Sequence, residues 1–346
     1  MRTVLLLLAA LAVSADAAPA LQRVFPTRGV TFMQVTVQIY GVELTPGPVR
    51  VLFDDVPATV LRATPNQLTV LAPHHSRPGR ADVHVELANG TRLTLDDAFE
   101  FGDVYVRRDD YRVFLLPLRA GDRGGANGSL WRTELSVHNG SLADALLLAN
   151  NCDVPIRTPF CAHSFIPVRP GQSLDLPIAP GLAHLEGTFL YVPEELAEGI
   201  DAKMRVRDVS KADEGFGTEV PVVRLDELKE TIRLLDVPTD PRYRALLRIY
   251  GDSAEERFVT VTVYPMSGDE PLERRTVYVE RGVGMYDDPE FPFVSAFGRL
   301  DPITEAVRAS GHSRVRIHIE AATRQWAFVS ITNNATQQVT TVTPHR

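Results

Sequence analysis

Along most of its length the chain alternates apolar and polar residues with a period of two, which is the pattern of half-buried β-strands. Val35-Thr36-Val37-Gln38-Ile39, Val49-Arg50-Val51-Leu52-Phe53, Gln67-Leu68-Thr69-Val70-Leu71 and Ala81-Asp82-Val83-His84-Val85-Glu86-Leu87 are clear runs in the first hundred positions. Pro46-Gly47-Pro48, Asp54-Asp55, Pro78-Gly79 and Asn89-Gly90 punctuate them with residues that preset or tolerate turns. Short strands at this spacing, with no helical period between them, predict a β-sandwich over residues 21–101.

Further on, the chain writes one strand twice. Trp131-Arg132-Thr133-Glu134-Leu135-Ser136-Val137-His138-Asn139-Gly140-Ser141 returns 112 positions later as Tyr243-Arg244-Ala245-Leu246-Leu247-Arg248-Ile249-Tyr250-Gly251-Asp252-Ser253. Val168-Arg169-Pro170-Gly171 returns as Val279-Glu280-Arg281-Gly282, and Lys203-Met204-Arg205-Val206-Arg207 as Arg314-Val315-Arg316-Ile317-His318, both at an offset of 111. Three segments in step predict two related all-β units. Within the lead strand Thr133, Leu135 and Val137 share one face and Glu134, Ser136 and His138 the other. Helical signals are few. Pro193-Glu194-Glu195-Leu196-Ala197-Glu198 before Gly199 predicts one short helix, Ile303 to Ala309 another turn or two, and Asp226 to Leu234 reads either as a short helix or as an approach to a strand.

The first unit carries a more specific pattern. Phe25-Pro26-Thr27-Arg28-Gly29, Ile39-Tyr40-Gly41, Val51-Leu52-Phe53-Asp54-Asp55-Val56-Pro57-Ala58 and Leu68-Thr69-Val70-Leu71-Ala72-Pro73 open it, and Pro78-Gly79, Val83-His84-Val85, Asn89-Gly90 and Phe99-Glu100-Phe101 close it. Together they resemble an IPT/TIG domain, which implies an immunoglobulin-like fold over about residues 21–101. The family includes spacers, surface-receptor modules and enzyme appendages, so the resemblance implies no activity. Gly124-Gly125-Ala126-Asn127-Gly128-Ser129 with Trp131-Arg132-Thr133 loosely resembles β-sandwich modules of secreted bacterial proteins of unassigned function.

Composition narrows the compartment more than the chemistry. The 346 residues give room for two or three domains, and 44% hydrophobic content supports buried cores. The net charge is −8, and the basic residues, all but three of them Arg, are scattered among acids, which excludes a nucleic-acid footprint. Arg2, the apolar stretch Leu5 to Val13 and Ala15-Asp16-Ala17 read as a signal peptide over residues 1–17. No later run approaches the ~18 apolar residues of a membrane span. Cys152 and Cys161 are the only cysteines, and in an oxidising compartment so close a pair predicts one disulfide.

Candidate chemistry is sparse. Gly251-Asp252-Ser253 imitates the strand-then-nucleophile block of GDSL-type hydrolases, but the late Asp-x-x-His pair is missing and the repeat sets Asn139-Gly140-Ser141 at the same place, as a turn would. Asp287-Asp288-Pro289-Glu290, Asp54-Asp55 and Asp96-Asp97 lack calcium-loop spacing, and His74-His75 has no third ligand nearby. Trp131 and Trp326 read either as core anchors or as faces for ligand stacking, as on a sugar.

The expected fold is all-β: an N-terminal immunoglobulin-like (IPT/TIG) sandwich followed by two related β-sandwich units, over residues 18–103, 104–224 and 225–346. The expected protein is no enzyme and has no cofactor, no metal and no catalytic residue. It is an extracytoplasmic bacterial protein, secreted, periplasmic or at the cell surface, that acts in binding, adhesion or envelope structure. Its expected partner is a protein or glycan at the cell surface, with no nucleic acid and no transmembrane segment after signal cleavage. The alternatives are a carbohydrate-binding accessory protein and a hydrolase whose site is assembled from distant loops.

Overall fold

The computed structural model describes residues 18–44, 47–102, 111–117, 123–125, 128–150, 163–177, 188–211, 216–251, 257–279 and 295–344. The signal-peptide reading, Cys152, Cys161, Ser253 and Asp287–Glu290 lie outside the described residues. The chain divides into two compact units, 1–106 and 107–346.

In the first unit, one sheet runs β1 (Ala20–Phe25), β3 (Thr36–Val42), β7 (Gln67–Leu71), β6 (Thr59–Thr64). The other runs β2 (Arg28–Val30), β9 (Arg92–Gly102), β8 (Gly79–Glu86), β4 (Arg50–Phe53), β5 (Val56–Pro57). The apolar registers of both sheets meet in one core that includes Val37, Ile39, Leu68, Val70, Val83 and Val85. Phe53, Phe99 and Phe101 pack edge to face at its centre, with ring centroids 4.9–5.8 Å apart. Two glycines of the opening motif are there for close approach. A Cβ on Gly29 would stand 2.8 Å from the Phe99 ring and from Val35, and one on Gly41 would collide with the Ala20 carbonyl.

The second unit holds two sets of strands. The first set is β10 (Tyr111–Leu116), β11 (Arg123–Gly124), β12 (Leu130–Asn139), β13 (Ala145–Asn150), β14 (His163–Val168), β15 (Ser173–Pro177), β16 (Thr188–Pro193), β17 (Ile200–Asp208), β18 (Thr218–Val220) and β19 (Val223–Arg224). The second is β20 (Lys229–Pro238), β21 (Tyr243–Gly251), β22 (Arg257–Pro265), β23 (Glu273–Val279), β24 (Ser295–Leu300), β25 (Arg314–Asn333) and β26 (Val339–Val342). Strand order repeats between them. The first set pairs β14-β13-β16-β10 in one sheet and β15-β12-β17-β18 in another. The second set pairs β23-β22-β25-β20 and β24-β21-β25-β26, with the long β25 serving both groups. Among the described residues no ladder joins one set to the other.

Leu135 and Leu247, matched by the 112-residue offset, are both buried. So are Val137 and Ile249, and Thr133 and Ala245. Ser136 is exposed, with Glu134 and His138 half-buried beside it.

The third matched segment needs correction. Leu135 faces Met204 on β17, but Leu247 faces Val329, whereas Val315 lies across from Val237 and Pro265. Met204 therefore corresponds to Val329 and not to Val315. A second hydrogen bond marks the same equivalence: Val209 N donates to Leu130 O in the first set and Asn334 N to Arg242 O in the second. Alternation of Arg with apolar residues is common to any half-buried strand, and here it matched two that occupy different places.

The expected helices are short. Glu194–Gly199 is a 3-10 turn between β16 and β17. Glu305–Ala309 is one α-helical turn capped by the Thr304 side chain, which accepts from Val307 N at 3.3 Å. Leu225–Glu227 is a 3-10 turn leading directly into β20.

Candidate functional site

Burial differs between the two strand groups of the second set, which share β25 in one seven-stranded sheet. Val259, Val261, Val263, Val277, Ile317, Ile319, Ile232 and Leu234 point from β22, β23, β25 and β20 into the core. Period-two geometry turns the residues between them to the opposite face. Register then orders that face in rows across β23, β22, β25 and β20. Tyr278 stands opposite Phe258; next come Thr276, Thr260, Glu320 and Thr231; then Arg274, Thr262, His318 and Arg233; Tyr264 and Arg316 follow.

This face carries aromatic surface that a soluble sheet ordinarily buries. Phe258 is 68% and Tyr278 40% exposed, with ring centroids 5.5 Å apart. Tyr264 lies 4.8 Å from the His318 ring, and the Arg316 guanidinium sits 5.1 Å over Tyr264. Arg316 also donates to Gly268 O at 2.6 Å and to Asp269 Oδ1 at 2.8 Å, while its buried Nε has no partner. The His318 pKa is lowered from its ordinary value, first by burial and then by the charges of Arg233 and Arg316, with Glu320 and Asp269 opposing.

A groove of about 760 Å³ lies at the junction of the two strand sets, lined by Pro221 and Val223 from one side and by Lys229, Arg233, Gln325 and Trp326 from the other. Gln325 is fully buried there: its Nε2 donates to Glu230 O at 3.3 Å and its Oε1 has no partner. Asp226 and Glu227 add carboxylates at the rim. The Asp226 carboxyl lies below its ordinary pKa because the Arg224 guanidinium donates to it, against an opposing burial effect.

Of the two tryptophans singled out from sequence, Trp326 is 7% exposed and packs against Tyr250 and Phe328, with centroids 6.2 and 5.4 Å away. Trp131 is half-buried and begins the inward register of β12. It lies on β12 and Trp326 on β25, in separate sheets, so the fold does not assemble them into one platform. Among the described residues no three His, Cys, Asp or Glu side chains cluster as a metal site requires. Asp54 instead accepts from Asp82 N at 2.9 Å, and His75 stacks on Phe101 at 4.5 Å.

Phe258 and Tyr278 were missed, although a signal was present. In Phe258-Val259-Thr260-Val261-Thr262-Val263-Tyr264 and in Val277-Tyr278-Val279 the valines hold the apolar register, so Phe258 and Tyr278 fall in the polar one.

No curated protein matches the chain. Solved structures that resemble it include the gamma-CGTase of Alkalophilic bacillus clarkii, 15% identical over 60% of this chain and 26% of that one, with a TM-score of 0.23. An auxiliary nutrient binding protein of Bacteroides ovatus ATCC 8483 is 14% identical over 57% and 45%, with a TM-score of 0.20. SGBP-B of the Bacteroides ovatus mixed-linkage glucan utilization locus, solved with a mixed-linkage heptasaccharide, is 13% identical over 90% and 77%, with a TM-score of 0.23. The chain spans less than half the length of the first two. Among the described residues no helix is long and apolar enough to cross a membrane. The N-terminal segment is assigned by its own pattern: with its two sheets, its phenylalanine core and its close-packed motif glycines, it matches the family model over residues 19–101 and is an IPT/TIG domain.

Proposed function

We propose that the chain is a non-catalytic, extracytoplasmic carbohydrate-binding protein, and that the outer face of the β23-β22-β25-β20 sheet is its binding surface. The observation that carries this reading is the cross-strand pair Phe258–Tyr278, exposed on a face whose other outward residues include Tyr264 and the polar side chains of Thr, Arg, His and Glu. Sugar rings present apolar C–H faces ringed by hydroxyls. Exposed aromatic faces cover the former, and hydroxyl, guanidinium and carboxylate groups bond the latter. A sheet places both kinds of group on rigid, evenly spaced rows, so little ordering is needed on binding. The signal-like N-terminus supports the compartment, and the immunoglobulin-like first unit fits a spacer that carries the binding unit.

The test is affinity electrophoresis or a glycan array with the full chain, its Phe258→Ala and Tyr278→Ala variants, and Trp131→Ala as comparison. Retarded migration in at least one polysaccharide, reduced tenfold or more by either variant on the face, is the expected result. Binding to no glycan, or binding indifferent to both aromatics, would overturn the assignment. A screen against esterase and glycosidase substrates covers the catalytic alternative: turnover abolished by one Ser, Asp or Glu substitution would make the protein a hydrolase.

A further inference from the structure

The charges on the same face narrow the ligand. Among the outward side chains of the four strands are the guanidinium groups of Arg233, Arg274 and Arg316, against one carboxylate, Glu320. Arg314 at the rim is matched by Asp236 at 2.8 Å, and Arg316 is matched by Asp269, which reaches in from the turn after β22. Arg233 and Arg274 form no ion pair with a described residue, and both are exposed. They terminate one row, Arg274-Thr262-His318-Arg233, in which Thr262 is buried and His318 half-buried between the two exposed arginines. Three interstrand spacings, roughly 14 Å, separate their backbones. Arg316 stands in the adjoining row, its charge already met by Asp269. Arg233 also lines the junction groove, so the basic row continues around the edge strand β20.

This arrangement runs against the molecule as a whole, whose net charge is −8. A polyanion is repelled by the net charge of the protein and meets locally, on this face, a row ended by two arginines. Screening limits that repulsion to about 8–10 Å at physiological salt, so the local charges decide binding. The depressed His318 pKa reports the same field, since Arg233 and Arg316 both disfavour a further proton there.

We propose that the ligand of this face is an acidic oligosaccharide, with Phe258 and Tyr278 covering ring faces and Arg274 and Arg233 pairing with its carboxylate or sulfate groups. The proposal rests on the carbohydrate-binding reading above and adds the charge class of the sugar. Planar guanidinium groups suit both anions through paired N–H donors.

The full chain would be titrated calorimetrically with oligogalacturonate, with sulfated dextran oligomers and with neutral dextran oligomers of matched length, at 50 and 300 mM salt. Variants would be Arg233→Gln with Arg274→Gln, Phe258→Ala, and Arg80→Gln as an exposed arginine in the first unit. Support is binding to one anionic series at least tenfold tighter than to the neutral one, weakened by salt and lost tenfold or more in the double variant, with Arg80→Gln unchanged. The carboxylated and sulfated arms tell which anion is meant. Equal or tighter binding to the neutral series would overturn the acidic ligand and leave carbohydrate binding standing. No binding in any series would overturn the acidic ligand, and the glycan array then decides carbohydrate binding by itself. Anion binding weakened as much by Arg80→Gln as by the double variant would show unspecific charge attraction and also overturn it. Circular dichroism of each variant guards against loss of fold, and Arg233→Lys with Arg274→Lys should restore part of the affinity.

Discussion

His318 shows how one side chain joins the fold to the proposed site. Its ring is wedged beside Tyr264, between Arg233 on β20 and Arg316 on its own strand, with Glu320 and Asp269 as the nearby acids. Burial and the two arginines hold its pKa below the ordinary value of 6.5. The folded protein therefore takes up a proton there less readily than the unfolded chain. Its contribution to stability is complete above pH 6.5 and falls as acidification proceeds from there toward the lowered folded value. Urea denaturation at pH 7.5 and pH 5 should show a smaller acid loss of stability in His318→Gln than in the wild type. An unchanged difference would mean that His318 does not titrate as its surroundings imply. At this scale the sequence was only partly legible. Gly29 and Gly41 belonged to a recognisable motif, but the reason for each, a phenylalanine ring and a backbone carbonyl, lies far along the chain or on a paired strand. The positive field at His318 comes from a residue 85 positions away and depends on strand register.

The period-two pattern identified strands and their inward faces reliably, because burial of alternate residues is what creates the pattern. The lead strand is the best case: Leu135 and Leu247 take equivalent buried positions, facing Met204 and Val329. Replacing either by Ala should cost about 2–5 kcal/mol in chemical denaturation. Ser136 is exposed and donates to Asp175 at 2.6 Å, and Ser136→Ala should cost less than about 1 kcal/mol. Equal costs for Leu135→Ala and Ser136→Ala would refute the facing. Which strands are equivalent was less legible. In the first set, Pro193 closes β16 and a 3-10 turn precedes β17; in the second, β25 runs on through Ala321 and Thr323. Proline lacks the N–H that continues a ladder, so one long strand in the second set stands for two in the first. A fixed offset could not survive that change. Cys152 and Cys161 lie outside the described residues, and the expectation of a disulfide stands on their spacing in the sequence. Mass spectrometry of protein from its native compartment should find them linked within one chain, and two free thiols would contradict it.

At the scale of the whole second unit, the decisive residues are Tyr250, Trp326 and Phe328. Ile249, Ala327 and Val329 belong to the core of the second strand set, so their neighbours in sequence point out of the opposite face of that sheet. Yet Tyr250 and Phe328 are fully buried and Trp326 nearly so. Something outside the second set covers them, and Tyr250 shows what it is: its hydroxyl donates to the carbonyl of Pro117, just after β10. In the first set, Phe189, Leu190, Tyr191 and Val192 of β16 are likewise buried on both faces. The two strand sets thus meet at Tyr250, which accounts for two sequence repeats being gathered into one compact unit. No periodicity within a strand reveals that contact, because Tyr250 and Phe328 occupy what reads as the outward register. The consequence can be measured with a single fluorophore. Residues 225–346 contain Trp326 as their only tryptophan, and residues 107–346 with Trp131→Phe keep the same one. Alone, the second set should expose the Tyr250, Trp326 and Phe328 face. Its emission should shift to longer wavelength, it should bind a hydrophobic dye, and it should be the less stable of the two by several kcal/mol, since burying an aromatic side chain contributes roughly 1.5–3 kcal/mol. Tyr250→Ala in the longer fragment should move the emission in the same direction. Identical emission and stability in the two fragments would mean that the second set covers its own aromatics and that the contact through Pro117 adds nothing.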